Sequence, residues 1–545
     1  MADRYWVGNS GNWSEIAHWS TSTGGSGGET VPGISDTAII NGDSGTGLIL
    51  ADTAIDTTID FQVTQQLSFN SNSQTITLRG NSNFLSNGTG ALTINSLLTL
   101  HGDNTVVIDD WSAETLTGMS VDIKDNGTIS NAMASTTTAI KAVTGGYSGK
   151  TAVMGGAKGW LVSDQLTWGP GKLSISAGAA CYLRTVLASP LVPSDGSAIL
   201  GGTSNHLWVD LATGGASPVI FPAMTVFDAI TLYVRGYQGA NRTIDFAGAL
   251  IMGNQDGNNL VFENGATMTG SLTVNTNNYA ITTDEFHLRS DKLGQTCTIN
   301  LGSSVITCKE SFEVNDALAS PDNAVVNAGT SQIVVAVLFW IGTNVTWNNG
   351  GSITFRNSTL HTGAATITSA GKTLPAITVD KATAGLTQSD ALTCGNLTLT
   401  DGTYDMDGFA LSCADLLINT TDTKTLDATI TASGNVTINQ TTTISRLIMT
   451  VGKTLTIASG KTLSITGYID GDLDDINISG GTLTLPARSI VTGVTATGNT
   501  ATNEIDATDS SNTNGGGNTN WNFGNLSVSN FIVNYLIKKR KKYDW

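Results

Sequence analysis

The sequence predicts an all-β protein, a single-stranded right-handed parallel β-helix (a solenoid) with an N-terminal cap and a short C-terminal tail. The main observation is a phrase that returns along the chain: glycine, any residue, Leu or Val, Thr or Ser, and then another aliphatic residue. Copies begin at Gly90, Gly171, Gly270, Gly395, Gly434 and Gly481. The alternation of apolar and polar residues indicates short strands with one buried face. Strands this short bury a core only by stacking on further copies of themselves.

The composition supports the same fold class. Of 545 residues, 62 are glycine and 9 are proline, while 40% are hydrophobic and 13% are charged. A chain with this much apolar and this little charged content is expected to fold, and its Gly, Asn, Ser and Thr residues suit turns between strands. The spacing between the phrases varies, which argues against the regular blades of a propeller and favours a parallel β-helix.

Residues 1–35 differ from the rest of the chain and are predicted to form the N-terminal cap. They hold Trp6, Trp13 and Trp19, together with the glycine-rich stretch 24–28. The first coil of a stacked sheet would otherwise expose its strand edge and apolar interior. We therefore expect the three tryptophans to be structural cap residues and to be largely buried.

Residues 36–525 are predicted to form the β-helix, with irregular insertions around residues 100–260. Within that range, residues 133–157 have mixed periodicity, which is consistent with a loop excursion or with a small helix-bearing insert. Residues 187–193 contain Pro190 and Pro193 and are predicted to break the ladder, because proline cannot donate a ladder hydrogen bond.

The charge balance excludes some classes of function. The net charge is −18, and the last twenty residues contribute +4 (five basic side chains and one acid), so the remainder carries −22. An acidic body repels phosphate, so no nucleic-acid partner is expected. Met1 to Trp6 lack the apolar stretch of an export signal, and no run reaches the roughly 18 apolar residues of a membrane span. We expect neither a signal peptide nor a transmembrane segment.

The five cysteines predict no disulfide framework. They are few for a chain of this length, odd in number and without CxxC spacing, so we interpret them as small apolar core residues. The five histidines are far apart and show no zinc-ligand spacing, and no phosphate-binding glycine loop is present. We therefore expect no cofactor.

The sequence predicts no catalytic residue and favours a protein that is not an enzyme. Glycan-cleaving enzymes use paired carboxylates, and acidic pairs do occur. They are Asp405 with Asp407, Asp284 with Glu285, and Asp109 with Asp110 beside Trp111. Any solvated strand offers similar pairs, so the preferred interpretation is an ordinary polar face.

No metal site is predicted either. The acidic run at Asp470, Asp472 and Asp474 superficially resembles a calcium loop. It lacks the glycine at position 6 and the glutamate at position 12 of an EF-hand. A solvated turn is the preferred interpretation, with weak calcium binding as the alternative.

The C-terminal tail, residues 526–545, is apolar over 531–537 and then strongly basic. The basic residues are Lys538, Lys539, Arg540, Lys541 and Lys542. This pattern suits an anchor onto an acidic partner or a membrane surface. The alternative interpretation is a solubilising terminus.

Both ends of the chain carry phrases with a family resemblance. The first is RYWVGNSGNWS at residues 4–14, followed by HWS at 18–20 and by Val31, Pro32 and Asp36. The others are NAGTSQI at 327–333 and GGGNTNWNF at 515–523. These phrases resemble those of a loose family of β-helical surface proteins that is common in tailed bacteriophages and in bacterial adhesin-like proteins. Bacterial members usually carry an export signal, so its absence here favours the phage members.

The resemblance implies a phage virion structural protein. This would be a fibre- or spike-type appendage used in host-surface attachment or in particle decoration, located in the virion and associating as a homotrimer. Its implied partners are copies of itself, other virion proteins through the tail, and a host surface glycan or protein. Two alternatives stay open: a tailspike that cleaves polysaccharide with surface carboxylates, and a bacterial surface adhesin.

Overall fold

The structure is a computed structural model. The residues that it describes are 2–41, 48–50, 52–53, 55–62, 68–70, 76–79, 83–85, 97–101, 105–109, 120–124, 126–131, 138–156, 159–176, 180–185, 187–193, 199–202, 206–211, 217–227, 230–236, 241–253, 257–264, 270–290, 294–315, 323–348, 350–420 and 424–524.

Short strands make up nearly all of the regular structure. The first group is β1 (Asp3–Trp6), β2 (Gly11–Asn12), β3 (Trp19–Ser20), β4 (Thr37–Asn41), β5 (Leu48–Leu50), β6 (Ile55–Gln62), β7 (Ser68–Asn70), β8 (Ile76–Arg79), β9 (Asn83–Leu85), β10 (Leu97–His101), β11 (Thr105–Asp109), β12 (Ser120–Ile123), β13 (Thr128–Asn131), β14 (Thr138–Gly145), β15 (Thr151–Gly156), β16 (Trp160–Trp168), β17 (Lys172–Ile175) and β18 (Cys181–Thr185).

The middle of the chain continues with strands of similar length. They are β19 (Leu191–Pro193), β20 (Ile199–Gly202), β21 (His206–Leu211), β22 (Val219–Phe221), β23 (Met224–Phe227), β24 (Thr231–Gly236), β25 (Arg242–Phe246), β26 (Leu250–Met252), β27 (Leu260–Asn264), β28 (Leu272–Asn275), β29 (Ile281–Ser290), β30 (Thr296–Asn300), β31 (Val305–Val314), β32 (Asn323–Asn327), β33 (Gln332–Val335), β34 (Leu338–Ile341), β35 (Val345–Asn348) and β36 (Ser352–Arg356).

The last group extends almost to the end of the described residues. It comprises β37 (Ala365–Thr368), β38 (Thr373–Leu374), β39 (Ala376–Gln388), β40 (Leu392–Cys394), β41 (Leu397–Asp405), β42 (Leu411–Cys413), β43 (Leu416–Ile418), β44 (Lys424–Ala432), β45 (Val436–Ile438), β46 (Thr442–Met449), β47 (Thr454–Ile457), β48 (Thr462–Ile465), β49 (Asn477–Ser479), β50 (Thr482–Thr484), β51 (Thr495–Thr497), β52 (Thr500–Asp506), β53 (Thr513–Asn514) and β54 (Thr519–Asn522).

The predicted fold class is confirmed: the chain is a parallel β-helix. The one helical element among the described residues is a 3-10 helix, Ile16–His18. Strands pair in parallel with strands one coil further along the chain, so the sheet ladders run from coil to coil. The right-handed sense of the coil stays a prediction. The chain divides into two compact units, Met1–Ser331 with Asn344–Asn348, and Gln332–Thr343 with Asn349–Trp545.

In the first unit, parallel ladders run along different sides of the coil. The longest joins β4, β6, β8, β10, β12, β14, β16, β18, β21, β24, β27, β29 and β31. A second joins β9, β11, β13, β15, β17, β20, β23, β26 and β29, and a third joins β22, β25, β28, β30, β32 and β35. The apolar residues of the alternating pattern face inward and are buried.

Buried aromatic rings follow one another through the core of the first unit. Phe286 and Phe312 stack with ring centroids 5.0 Å apart, and Phe262 lies 5.8 Å from Phe286. Such contacts add to the free energy gained by burying the rings. The apolar columns predicted from alternation therefore form one continuous core within this unit.

The insertions expected around residues 100–260 do not interrupt these ladders. Residues 138–156 lie in β14 and β15 and the residues joining them, so this part of the expected excursion is strand and not helix. The break predicted at residues 187–193 is confined to residues 187–190, which lie outside the strands, because β19 (Leu191–Pro193) pairs with β16. Pro193 lies at the end of that strand, and the carbonyl of Pro190 accepts a hydrogen bond from Leu166 N at 2.9 Å. Proline is tolerated there because it still offers its carbonyl.

The N-terminal residues form a closed aromatic cluster. Trp6, Trp13 and Trp19 are buried, as predicted, and Trp19 lies edge-on to both of the others. Trp19 Nε1 donates to the carbonyl of Trp13 at 2.8 Å. Strand β1 pairs in parallel with β4 and antiparallel with β3, so both of its edges are occupied. An antiparallel strand on the first coil removes the exposed edge that a solenoid would otherwise present.

In the second unit the recurring phrases lie directly above one another. Leu397, Leu416, Val436 and Leu455 pair in register along one ladder. The second position of the phrase contributes a side-chain hydrogen bond to the next coil. Asp415 Oδ1 accepts from Asn435 N at 2.7 Å, and Asn435 Oδ1 accepts from Thr454 N at 3.0 Å. The side chains of the turns therefore help to set the coil-to-coil register.

The second unit becomes more polar towards its last coils. Along one register column the buried Ile478 is followed by the smaller buried Ala496 and then by Asn514, which is exposed. The carbonyl of Ala496 accepts from Gly515 N of the next coil at 2.8 Å and also from Asn518 Nδ2 at 2.6 Å. Trp521 and Phe523 stack with centroids 5.7 Å apart. The tail, with Lys538, Lys539, Arg540, Lys541 and Lys542, lies outside the described residues.

All five cysteines are buried and free, which agrees with their interpretation as small core residues. Burial raises the pKa of Cys181 to about 12. At neutral pH this thiol is therefore protonated and unreactive.

Candidate functional site

The acidic residues Asp405 and Asp407 lie in a turn. Asp405 ends β41, and Asp407 follows it with a φ of 46°. Asp407 N donates to Asp405 Oδ1 at 3.0 Å, and both residues are exposed. The Asp405 carboxylate therefore caps its own turn, and among the described residues the pair has no other hydrogen-bond partner that would mark a catalytic site.

The carboxylates of Asp470, Asp472 and Asp474 are directed to different partners. Asp472 accepts from Arg446, with Nη2 and Oδ1 2.8 Å apart, and Arg446 Nε also donates to it. Asp470 accepts from Ile490 N at 3.1 Å, and Asp474 accepts from Thr492 N at 2.9 Å. These contacts give each carboxylate a structural role between neighbouring coils.

Asp284 and Glu285 lie where the register of the β29–β31 ladder shifts, between Thr283 and Glu285. Asp284 is buried and accepts from Gly257 N at 2.9 Å, whereas Glu285 is on the outer side of the coil and is partly exposed. The side chain of Asp109, together with Asp110 and Trp111, lies outside the described residues.

A site that we did not predict lies on the outer side of β18, β21, β24, β27, β29 and β31. The inward neighbours of its residues, such as Leu207, Val209 and Val234, are buried in the core. We call it the aromatic–charged face, formed by Tyr182, Arg184, His206, Trp208, Asp210, Tyr233, Arg235, Glu263, Glu285, His287, Arg289 and Glu313.

Aromatic rings form the first column of this face. Tyr182, Trp208 and Tyr233 are in register on consecutive strands. The rings of Trp208 and Tyr233 are 3.8 Å apart and inclined by 9°, while Tyr182 lies 6.1 Å from Trp208. His206 stacks beside them, 5.4 Å from Tyr233. All four side chains are half-buried, so ring edges and part of their faces reach solvent.

Charges of alternating sign form the second column. Arg184, Asp210, Arg235, Glu263 and Arg289 are in register on consecutive strands. Arg235 Nη2 lies 2.9 Å from Asp210 Oδ1, and Arg184 Nη2 lies 3.5 Å from Asp210 Oδ2. Burial raises the pKa of Asp210, and the two arginines act in the opposite direction. Each charge in the column has the opposite charge on the neighbouring coil, which allows these side chains to pack closely on adjacent coils.

The aromatic and charged columns are joined by direct contacts. The guanidinium of Arg235 lies 4.4 Å from the centre of the Trp208 ring, within cation–π distance. Burial raises the pKa of Tyr233, and Arg289, Glu263 and Glu285 are close enough to modify it. Ring orientation and charge position are therefore coupled across the face.

A hydrogen-bond relay extends the face through β29. Arg289 Nη2 lies 3.2 Å from His287 Nδ1, and because a guanidinium only donates, this nitrogen is the acceptor. His287 Nε2 then carries the hydrogen and donates to Glu285 Oε2 at 3.0 Å, which also accepts from Asn259 Nδ2 at 2.6 Å. The relay holds Glu285 in one orientation.

Sequence reasoning missed this face because its members are one coil apart along the chain. The tryptophans in the middle of the chain are far apart in the sequence. Acidic pairs were sought only among residues adjacent or nearly adjacent in the sequence. A usable signal does exist: Tyr182 with Arg184, Trp208 with Asp210, and Tyr233 with Arg235 repeat an aromatic residue two positions before a charge. Residues two apart on a strand share a face.

Comparisons with protein-family models, with curated proteins and with solved structures find no match to this chain. Within the described ranges, no helix has the length and apolar character needed to cross a membrane.

Proposed function

We propose that the chain is a structural protein of a bacteriophage particle, a fibre- or spike-type appendage that binds the host surface through the aromatic–charged face. The observation that carries the binding role is the stacked column of Tyr182, Trp208 and Tyr233 beside charges on the same coils. Partly exposed aromatic rings with polar groups beside them suit contact with sugars or with a protein surface. The viral role rests on the resemblance of the N-terminal motif.

The contacts of the carboxylates support binding over cleavage. Asp210 is held by two arginines, and Glu285 accepts from Asn259 and His287. A general acid in glycan cleavage needs a raised pKa and access to the glycosidic oxygen. Burial raises the pKa of Asp210, but its side chain is 0% exposed between the two arginines, so it offers no access to a bound glycan.

Polysaccharide cleavage is the second candidate, and one observation favours it. Glu263 and Glu285 both lie close enough to Tyr233 to influence its pKa, so two carboxylates lie near a partly exposed ring. A bacterial surface adhesin would use the same face for binding. Association as a homotrimer and attachment of the tail to other virion proteins belong to the same proposal.

The binding role is tested with the purified full chain and a panel of bacterial cells and purified surface polysaccharides. We expect saturable binding that Trp208→Ala weakens at least tenfold, because it removes the central ring. The matched control is Tyr279→Ala, a 40% exposed tyrosine outside the face, which should bind as the parent chain does. Equal binding by both variants would refute the role of the face.

The cleavage alternative is measured in the same samples as release of reducing ends. We expect none. Release that Glu285→Gln abolishes would replace the binding proposal with an enzymatic one. The viral role is tested separately, by immunogold labelling of purified phage particles; particles that carry no label would contradict it, whatever the binding result.

A further inference from the structure

We propose that Cys394 and Cys413 form a reversible disulfide that staples two adjacent coils of the second unit under oxidising conditions. Both thiols are free and buried in the structure, and neither belongs to the aromatic–charged face. The site is a modification site in the core, and it is independent of the proposed function.

The two cysteines are neighbours across the β40–β42 ladder. Leu392 pairs with Leu411 and Thr393 pairs with Ser412, so the next position places Cys394 beside Cys413. The inward alternation of both strands is the same, with burial at the first and third residues. Adjacent parallel strands are about 4.8 Å apart, which lies within the Cα separation of roughly 4.4–6.8 Å that disulfides span.

The environment of the thiols supports their proximity. Burial raises the pKa of Cys394 to about 12, and the thiol of Cys413 contributes to that rise. Burial also raises the pKa of Tyr404, and both thiols add to it, so the three side chains lie together. Beyond Cys413, the next residue in the column is Ala432.

The reaction balances with a low-molecular-weight disulfide as oxidant. One molecule of oxidised glutathione accepts two electrons and both thiol hydrogens, and leaves as two molecules of reduced glutathione. The two S–H bonds of the protein break and one Sγ–Sγ bond forms. Because buried thiols with raised pKa values exchange slowly, the bond should form while the chain folds or when the coils open.

Trypsin provides a direct readout, because Lys381 and Lys424 bound a peptide, 382–424, that contains only these two cysteines. The chain also supplies a matched control. The peptide 293–309 contains Cys297 and Cys308, which lie on different ladders: Cys297 pairs with Leu272 and Ala324, and Cys308 pairs with Thr283. The two peptides have the same number of thiols but differ in register.

The experiment refolds the full chain in a glutathione redox buffer or in a phosphine reductant. The folded fraction is isolated by gel filtration, its free thiols are alkylated under denaturing conditions, and its peptides are weighed. After oxidation we expect peptide 382–424 to escape alkylation and to weigh about 2 Da less than its dithiol form. Peptide 293–309 should be alkylated twice, and the oxidised chain should unfold at a higher temperature than the reduced chain.

Two results from the peptide masses would overturn the proposal. One is a folded, oxidised sample in which both thiols of peptide 382–424 are alkylated. The other is closure of peptide 293–309 to the same extent, which would indicate oxidation without regard to register. The variant Cys394→Ala should leave Cys413 open to alkylation and remove the increase in unfolding temperature on oxidation. If the oxidised parent chain unfolds at a lower temperature than the reduced chain, the bond is strained and the staple is refuted.

Discussion

At the scale of single residues, the contacts of His18 account for the residue types found in the N-terminal motif. Its ring stacks on Trp6 with centroids 4.6 Å apart, and its Nδ1 lies 3.0 Å from the carbonyl oxygen of Val7. A Cβ at Gly11 would lie 2.0 Å from His18 Nε2. Glycine is therefore needed at that position for lack of space, and the aromatic residues of the motif are needed because they bury one another.

The first prediction concerns the buried ring of Trp13, which is 2% exposed. Trp13→Ala should lower the free energy of unfolding by about 3–5 kcal/mol, because it leaves a cavity among Trp6 and Trp19. The measurement is chemical denaturation followed by circular dichroism. The control is Ile16→Ala at a site that is 57% exposed, which should change stability by less than about 0.5 kcal/mol. Equal effects of both changes would contradict the buried cap.

The second prediction is a pH dependence at His206, whose pKa is lowered by burial from the ordinary value of 6.5. The folded state therefore binds a proton less readily than the unfolded chain. The stability associated with neutral His206 is present above the unfolded pKa and is lost as pH falls through the folded pKa. Unfolding midpoints measured from pH 8 down to about pH 5 should fall less steeply for His206→Gln than for the parent chain. Parallel curves would show that His206 does not contribute.

At the scale of strands and turns, side-chain ladders complement the backbone ladders. Asn275 Nδ2 donates to Asp245 at 2.7 Å, Asn300 donates to Asn275 at 2.6 Å, and Asn327 donates to Asn300 at 2.6 Å. Each amide donates to one coil and accepts from the next. This arrangement penalises a register shift of about two residues, which would keep the aliphatic residues facing the core.

The third prediction tests this asparagine ladder. Asn300→Ala removes both of its ladder hydrogen bonds and should lower the free energy of unfolding by about 1–3 kcal/mol. Thr298→Ala, on the outer side of the same strand, is the control and should cost less. Unfolding in urea measures both. A smaller effect for Asn300→Ala than for Thr298→Ala would show that the ladder adds nothing to stability.

At the scale of the whole molecule, different devices close the two ends of the chain. The N-terminal end uses an antiparallel strand and buried aromatic rings. In the last coils, Ala496 and Ala501 replace larger core residues, and Asn518 and Asn520 donate to their carbonyls. The core therefore becomes smaller before the tail begins, and folding of the coils should not depend on the tail.

The fourth prediction is that a chain ending at Asn525 folds with an unchanged unfolding temperature. Trp521 and the asparagines of the last coils remain in this chain, and Trp521 Nε1 donates to Asn499 at 3.0 Å. The deletion should weaken attachment to an acidic partner, and attachment of the full chain should weaken as salt rises. Differential scanning calorimetry and incorporation into particles measure the two effects. Loss of folding with normal incorporation would reverse these roles.

The sequence alone determined the all-β solenoid, the burial of Trp6, Trp13 and Trp19, and the core position of the cysteines. These features follow from local signals, namely period-two alternation, turn residues and the clustering of large rings. Only the tertiary structure decided which residues meet, because turns of unequal length set the register between coils. It brought Trp208 onto Tyr233, and it placed Cys394 beside Cys413. Alternation identifies the outward residues of each coil. Which of them touch across coils depends on the strand register, and the lengths of the intervening turns set that register.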